Sequence, residues 1–238
     1  MKFLYLYVNF FTVIIPFLFS FHPKLKFYKT WKSFFPAVAL TGILFIAWDI
    51  YFTRIGVWGF NQQYLTGITL LNLPIEEVLF FFCIPYACVF TFHCLNLFIE
   101  RKFAGNIENR ITLTLILVFA LTAILNYQKL YPLFTFLSLA ALLAVSKYIL
   151  KVKWLGKFYI IYAILLLPFL IVNGILTGSG LEEPVVWYNS MEIIGIRIVT
   201  IPLEDVFYGM ELILSNLLIY LHLMDRNTVK QYNQIEPT

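Results

Sequence analysis

Seven apolar segments, each near the length that crosses a bilayer, divide this sequence. They cover about 3–21, 33–52, 74–98, 111–126, 131–149, 158–177 and 202–223, the fourth being short. A spanning segment needs about 20 residues. In lipid it has to be helical, because no water is present to satisfy free backbone groups. The expected fold class is therefore all-α, a polytopic integral membrane bundle of about seven transmembrane helices. Composition agrees: 61% of residues are apolar and 13% charged, against about 45–50% and 25% in a soluble domain. The first segment runs on as Phe-Leu-Phe-Ser-Phe without a small-residue cleavage site. It reads as a helix and not as a signal peptide.

The net charge of +4 is a topology signal and points to no nucleic-acid partner. Thirteen basic residues fall in alternate loops and the tail: Lys24, Lys26, Lys29, Lys32, Arg101, Lys102, Arg110, Lys147, Lys151, Lys153, Lys157, Arg226 and Lys230. Lys2, Arg54, Lys129 and Arg197 fall on the other side. The positive-inside rule then predicts a multi-pass cell membrane protein with its N-terminus outside and its C-terminus cytoplasmic. Two long, weakly basic loops, 53–73 and 178–201, fall outside and carry the interfacial rings Trp58, Phe60, Tyr64, Trp187 and Tyr188. They are expected to fold back on the bundle as a lid. Cys83, Cys88 and Cys94 share one apolar run and read as small packing residues.

The chain also repeats itself. Asn61, Gly67, Pro74, Glu76, Glu77 and Val78 match Asn189, Gly195, Pro202, Glu204, Asp205 and Val206 at a constant spacing of 128 residues. Asp49 and Thr53 match Asn173 and Thr177 at a slightly smaller one, and Lys24-Leu-Lys-Phe27 resembles Lys151-Val-Lys-Trp154. Helices 1–3 thus correspond to helices 5–7, with helix 4 between them. One membrane domain is expected over 1–238: a first half 1–105, a linking helix 106–130, a second half 131–225 and a cytoplasmic tail 226–238. An even number of spans separates helix 3 from helix 7, so the repeat is parallel. Such a repeat has its axis along the membrane normal and can bring two motifs face to face at one depth.

Those motifs are Leu73-Pro-Ile-Glu-Glu77 and Ile201-Pro-Leu-Glu-Asp205. Proline suits a first helical position, and acids in the first turn suit the helix dipole. Taken singly, either motif is explained as a helix start. Together they bring four carboxyls to one place, and Asp49 and Glu211 add two more. Ionisable residues inside a membrane are expensive and usually functional. Carboxyls crowded away from water cannot all ionise. A protonated acid beside a carboxylate is the pairing that general acid–base chemistry needs. Arg197 is the nearest partner for an ion pair, or an interfacial anchor. Trp48, Phe80 and Tyr208 stand among surrounding rings whose faces can stabilise a cation.

No metal-binding pattern appears. His93 and His222 sit near the other ends of helices 3 and 7 and read as interfacial or packing residues. No dinucleotide fingerprint appears either.

Pro-Ile-Glu-Glu in the first half and Pro-Leu-Glu-Asp-Val-Phe-Tyr-Gly in the second resemble the paired signatures of the flavin-independent membrane lycopene β-cyclases. His22-Pro-Lys-Leu-Lys-Phe-Tyr is similar to their first cytoplasmic loop. The resemblance covers nearly the whole chain. It is to the fused form of the two-subunit bacterial enzymes, like the cyclase half of fungal bifunctional ones. It implies an intramolecular lyase or isomerase of carotenoid biosynthesis that takes lycopene from the bilayer and works without a cofactor, in contact with membrane lipid and other carotenoid enzymes. An acid protonates a ψ-end, the cation closes a six-membered ring, and a base removes a proton to leave a β-ionone ring. Glu76, Glu77, Glu204 and Asp205 are the implied catalytic carboxyls. Asp49, Trp48, Asn61, Phe80, Asn189, Arg197, Tyr208 and Glu211 are candidates for the substrate pocket. A proton-coupled transporter is the main rival reading, since paired repeats with acidic motifs also serve transport; a non-catalytic scaffold is a third. Against transport stand acids near one face and helices 3 and 7 expected to run without a Gly or Pro break.

Overall fold

The computed structural model of the chain describes residues 2–99 and 105–235. Its α-helices, in chain order, are α1 Leu4–Phe19, α2 Trp31–Arg54, α3 Ile75–Phe98, α4 Gly105–Leu125, α5 Leu130–Ala144, α6 Leu155–Leu176 and α7 Leu203–Ile235. A π-helical turn over Val145–Ile149 extends α5. Six of the described helical stretches are long and apolar enough to cross a membrane. The protein is an all-α membrane bundle. Arg101, Lys102 and residues 236–238 lie outside the described residues, as do the side chains of Arg226 and Lys230.

The helix bounds depart from expectation for identifiable reasons. α1 has 16 residues, about 24 Å at 1.5 Å per residue, and is too short to span unaided. It stops in a turn ahead of His22-Pro23, where proline drives the preceding residue out of helical geometry. α4 is already helical at Gly105, ahead of residue 111, and Glu108 near that end pairs with Lys147 at 2.7 Å. α7 continues past the expected start of the tail. Pro85 sits inside α3 and Gly209 inside α7, so neither helix is free of Gly and Pro.

The two ends of the bundle differ in character. One end gathers basic loops: Lys157 Nζ donates to the Asn96 carbonyl at 3.0 Å, and His93 Nε2 lies 2.8 Å from the Leu25 carbonyl. The other end carries the two long loops, which do fold back on the bundle. Each contributes short strands that the sequence reading did not foresee. β1 Trp58–Phe60 pairs antiparallel with β4 Val186–Tyr188, joining the loops to one another. β2 Thr69–Leu70 pairs with β3 Leu73–Pro74, and β5 Arg197–Ile198 pairs with β6 Ile201–Pro202.

The 128-residue spacing reappears contact by contact. Thr69 faces Pro74 and Arg197 faces Pro202; Leu70 faces Leu73 and Ile198 faces Ile201. Gly67 at φ +89° has its counterpart in Gly195 at φ +91°, a backbone geometry that glycine adopts without steric cost. Asn61 Oδ1 accepts from Gln63 N at 3.0 Å, and Asn189 Oδ1 accepts from Met191 N at 3.0 Å. Asn61 N donates to Val185 O and Asn189 N to Val57 O, both at 2.9 Å. Pro74 and Pro202 close these hairpins as strand residues, and each helix begins one residue later, at Ile75 and Leu203.

α1 packs along α3 and α5 along α7, while α2 crosses to α7. Between them lies a core built around Phe27, Phe34, Tyr86, Leu139, Phe158 and Leu217. The bundle thus brings the starts of α3 and α7 together beneath the joined loops.

Candidate active site

The carboxyls at the starts of α3 and α7 divide into two kinds. Adjacent helical residues point about 100° apart, so each motif faces two ways. Glu76 and Glu204 are wholly buried. Glu76 Oε1 accepts the Thr66 amide at 2.6 Å, and Glu204 Oε1 accepts the Ile194 amide at 2.5 Å. Each pins the loop before its hairpin to the helix that follows, and neither lines the cavity described next.

Glu77 and Asp205 face a cavity of about 670 Å³ bounded by α1, α3, α6 and α7, and Asp49 of α2 reaches the same space. The Tyr5 hydroxyl donates to Glu77 Oε2. Tyr131 donates to Asp205 Oδ1 and Tyr188 to Asp205 Oδ2, both at 2.7 Å. Asp49 Oδ1 accepts from Trp58 Nε1 and from Thr53 Oγ1, the latter at 3.3 Å. Asp49 Oδ2 and the Tyr208 hydroxyl are buried without a hydrogen-bond partner among the described residues. Burial first, and the Asp205 carboxyl second, push the Tyr188 phenol well above its usual range. Tyr188 therefore stays a neutral donor.

Among the described residues no cation pairs with these carboxyls. Among the described residues one side-chain ion pair is found, Lys147 with Glu108, at the opposite end of the bundle. Arg197 does not reach the carboxyls as an ion-pair partner. Its Nη1 donates to the Thr200 carbonyl at 2.5 Å, and its guanidinium lies 5.9 Å from the Tyr188 ring centre. It is held in its own hairpin.

Aromatic rings supply much of the wall near the carboxyls. Tyr131 and Tyr188 stack with centres 6.0 Å apart and planes 9° apart. Trp58 meets Tyr131 edge-on at 5.0 Å. Phe80 and Tyr208 line the cavity. Trp48 stands behind Tyr208, 5.2 Å between ring centres, and does not line it. Asn61 and Asn189 are not pocket residues either. Their side chains cap turns of the two loops, and Asn61 Nδ2 also donates to Glu183 at 2.8 Å. Glu211 is buried in α7, accepts from Ser138 Oγ at 2.9 Å, and lies off the cavity.

Sequence reasoning missed Tyr5 and Tyr131, the phenols on Glu77 and Asp205. A signal was present. They stand 126 residues apart, at the second position of α1 and of α5. A tyrosine at the start of an apolar helix carries no charge to set it apart from the membrane-interface tyrosines around it.

Comparison with known proteins follows the same division. The lycopene cyclase family model matches residues 2–95 and 128–223, which takes in α1, α2, α5, α6 and most of α3 and α7. A stretch of 53 residues is 42% identical to the bifunctional lycopene cyclase/phytoene synthase of Phaeosphaeria nodorum. That stretch is 22% of this chain and 9% of that relative's length. No solved structure matches the chain. With family matches in both halves and the paired acidic motifs inside each, this chain belongs to the lycopene cyclase family.

Proposed function

We propose that this protein cyclises the acyclic ψ-ends of lycopene to β-ionone rings by acid–base chemistry without net oxidation or reduction. The observation that carries the proposal is the group of three carboxyls, Asp49, Glu77 and Asp205, without an ion-pair partner among the described residues, in one apolar cavity walled by aromatic rings. The reaction needs a proton donor for an alkene, an environment that tolerates a carbocation, and a base.

The hydrogen bonds favour a division of labour. A proton bound for an alkene must not be held by a better acceptor. Asp49 Oδ2 has no partner among the described residues and is the proposed donor. Protonation of the terminal double bond leaves a tertiary cation. The neighbouring internal double bond attacks it, forming the new ring bond and moving the cation into the ring. Both Asp205 oxygens are occupied by phenolic hydrogen bonds, from Tyr131 and Tyr188, so Asp205 stands beside the cation and does not deliver the proton. With the Tyr131, Tyr188 and Tyr208 rings it stabilises the cation by charge and by ring faces. Glu77, held by Tyr5, takes the ring proton and restores the double bond. One proton enters and one leaves, so the product is an isomer of the substrate.

Glu76 and Glu204 act at one remove, as positioning residues that hold the loops over the cavity. Trp58 and Tyr188 reach the carboxyls from those loops, so a loosened loop would misplace both donors. The proposed orientation puts the loops outside the cell membrane and the basic end in the cytoplasm, in line with the positive-inside rule. No dinucleotide-binding pattern is present in the sequence, which fits a reaction that moves no hydride.

The direct test is expression in a host that accumulates lycopene, with pigments separated by chromatography. The proposal expects monocyclic or dicyclic β-ring carotenes. Unchanged lycopene beside well-expressed, membrane-inserted protein would refute it.

A further inference from the structure

The repeat offers two related faces on which a long substrate could lie, one between α3 and α6 and one between α7 and α2. These faces are unequal. On the α2 side Trp48 and Phe45 close on Tyr208, with ring centres 5.2 and 5.1 Å away, and Phe81 packs 6.2 Å from Phe45. On the α6 side the residue matching Trp48 is Val172, and the residue matching Phe81 is Gly209. The match is structural as well. Asn72 Nδ2 donates to Ile50 O at 3.0 Å, and Thr200 Oγ1 donates to Gly174 O at 3.3 Å, tying each hairpin to the same level of α2 and α6. Two large rings on one face are thus replaced by a small side chain and none on the other. The cavity lies on the emptied face, and both Val172 and Gly209 line it.

We infer that this α1–α3–α6–α7 face is a one-sided channel for a linear polyene, kept open by Val172 and Gly209, and that the face sealed by Trp48 and Phe81 takes no substrate. The inference rests on the cyclase reading and goes beyond it by saying where the rest of the substrate lies. Along α3 the lining runs from Glu77 to Thr91, about 21 Å at 1.5 Å per residue. Away from the carboxyls and their phenols the lining is mostly apolar, its polar groups including those of Thr12, Cys88, Thr91, Tyr162, Asn173 and Thr177, which suits a hydrocarbon rod. Phe11, Ile15 and Ile171 line the channel and are also 66%, 62% and 67% exposed. The wall between α1 and α6 is therefore open to the lipid side. A polyene enters sideways, seats one end at the carboxyls and extends toward Thr91.

The test uses the full chain in membranes with two substrates: lycopene, and a shortened polyene aldehyde bearing one ψ-end. Val172→Trp restores in the channel the ring that seals the other face, and should lower conversion of both substrates at least tenfold. Thr91→Trp blocks the far end only, and should lower lycopene conversion at least tenfold while sparing the shortened substrate. Leu44→Trp, at a position 68% exposed on the sealed side, should leave both rates unchanged. Melting temperature is read for each variant; if Val172→Trp fails to fold, Thr91→Trp decides alone through its substrate split. Folded Val172→Trp with wild-type conversion, or Thr91→Trp that treats both substrates alike, would overturn the channel. Wild-type protein that converts neither substrate would overturn the cyclase reading, and the channel with it.

Discussion

Gly59 lies against the indole of Trp187 at the centre of the β1–β4 pair. The pairing sets Gly59 opposite Trp187, Trp58 opposite Tyr188 and Phe60 opposite Val186. Shifting each residue by the 128-residue spacing turns the outer two pairs into one another and leaves the Gly59–Trp187 pair unchanged. The local symmetry axis therefore passes through that pair. A Cβ on Gly59 would clash with the Trp187 indole. Gly59→Ala should push Trp187 aside and loosen the strand pair that carries Trp58 and Tyr188. The expected result is a lower melting temperature and slower cyclisation together. Unchanged values of both would show that the strand pair does not govern the site.

The clamps at Glu76 and Glu204 predict a contrast between substitutions. Alanine at either position leaves a half-buried amide, Thr66 N or Ile194 N, without its acceptor. An unsatisfied group of this kind costs about 1–3 kcal/mol. Glutamine keeps an oxygen that can accept the same bond. Glu76→Ala and Glu204→Ala should therefore destabilise the protein by that amount, and the glutamine variants by much less. Chemical denaturation in detergent measures the difference.

The phenols of Tyr5 and Tyr131 should matter through the carboxyls they hold. Tyr5→Phe and Tyr131→Phe keep the ring and remove one hydrogen bond to Glu77 or to Asp205. Bonds to charged groups are worth about 1.5–3 kcal/mol. Turnover should fall by roughly that energy, about 10- to 100-fold, while folded protein still accumulates. Rates within about twofold of wild type would detach these tyrosines from the reaction.

Orientation can be read by labelling. With Cys83, Cys88 and Cys94 replaced by serine, a cysteine placed at Ser190 should react with an impermeant maleimide added outside intact cells. One placed at Lys153 should react only after permeabilisation. The reverse pattern would invert the proposed topology.

Much of this arrangement was legible in the sequence, and the limits have physical causes. Long apolar runs announce membrane helices because lipid leaves the backbone no alternative. Spacing alone tied Glu76-Glu77 to Glu204-Asp205, since a repeat preserves sequence distance. Direction within each motif was less visible. Whether Glu76 or Glu77 faces the cavity depends on how α3 is rotated, and that is set by its packing on α1 and α2. The short strands escaped notice because two- and three-residue pairings carry little sequence pattern. Arg197 looked like a counter-ion by its charge, but its backbone lies in a hairpin whose own carbonyl takes the guanidinium. Pro85 lies within α3 without ending it, and an apolar run keeps its hydrophobicity across a proline.

The central claim is that Asp49, Glu77 and Asp205 do the chemistry while Glu76 and Glu204 hold the loops. One comparison tests it most directly: lycopene conversion by Asp49→Asn, Glu77→Gln, Asp205→Asn, Glu76→Gln and Glu204→Gln, each normalised to folded protein in the membrane. General acid–base assistance is worth about 10²–10⁴-fold. The first three variants should each lose at least about a hundredfold of conversion, and the last two should stay within about tenfold of wild type. Loss of activity in Glu76→Gln and Glu204→Gln, with Glu77→Gln and Asp205→Asn still active, would contradict the account.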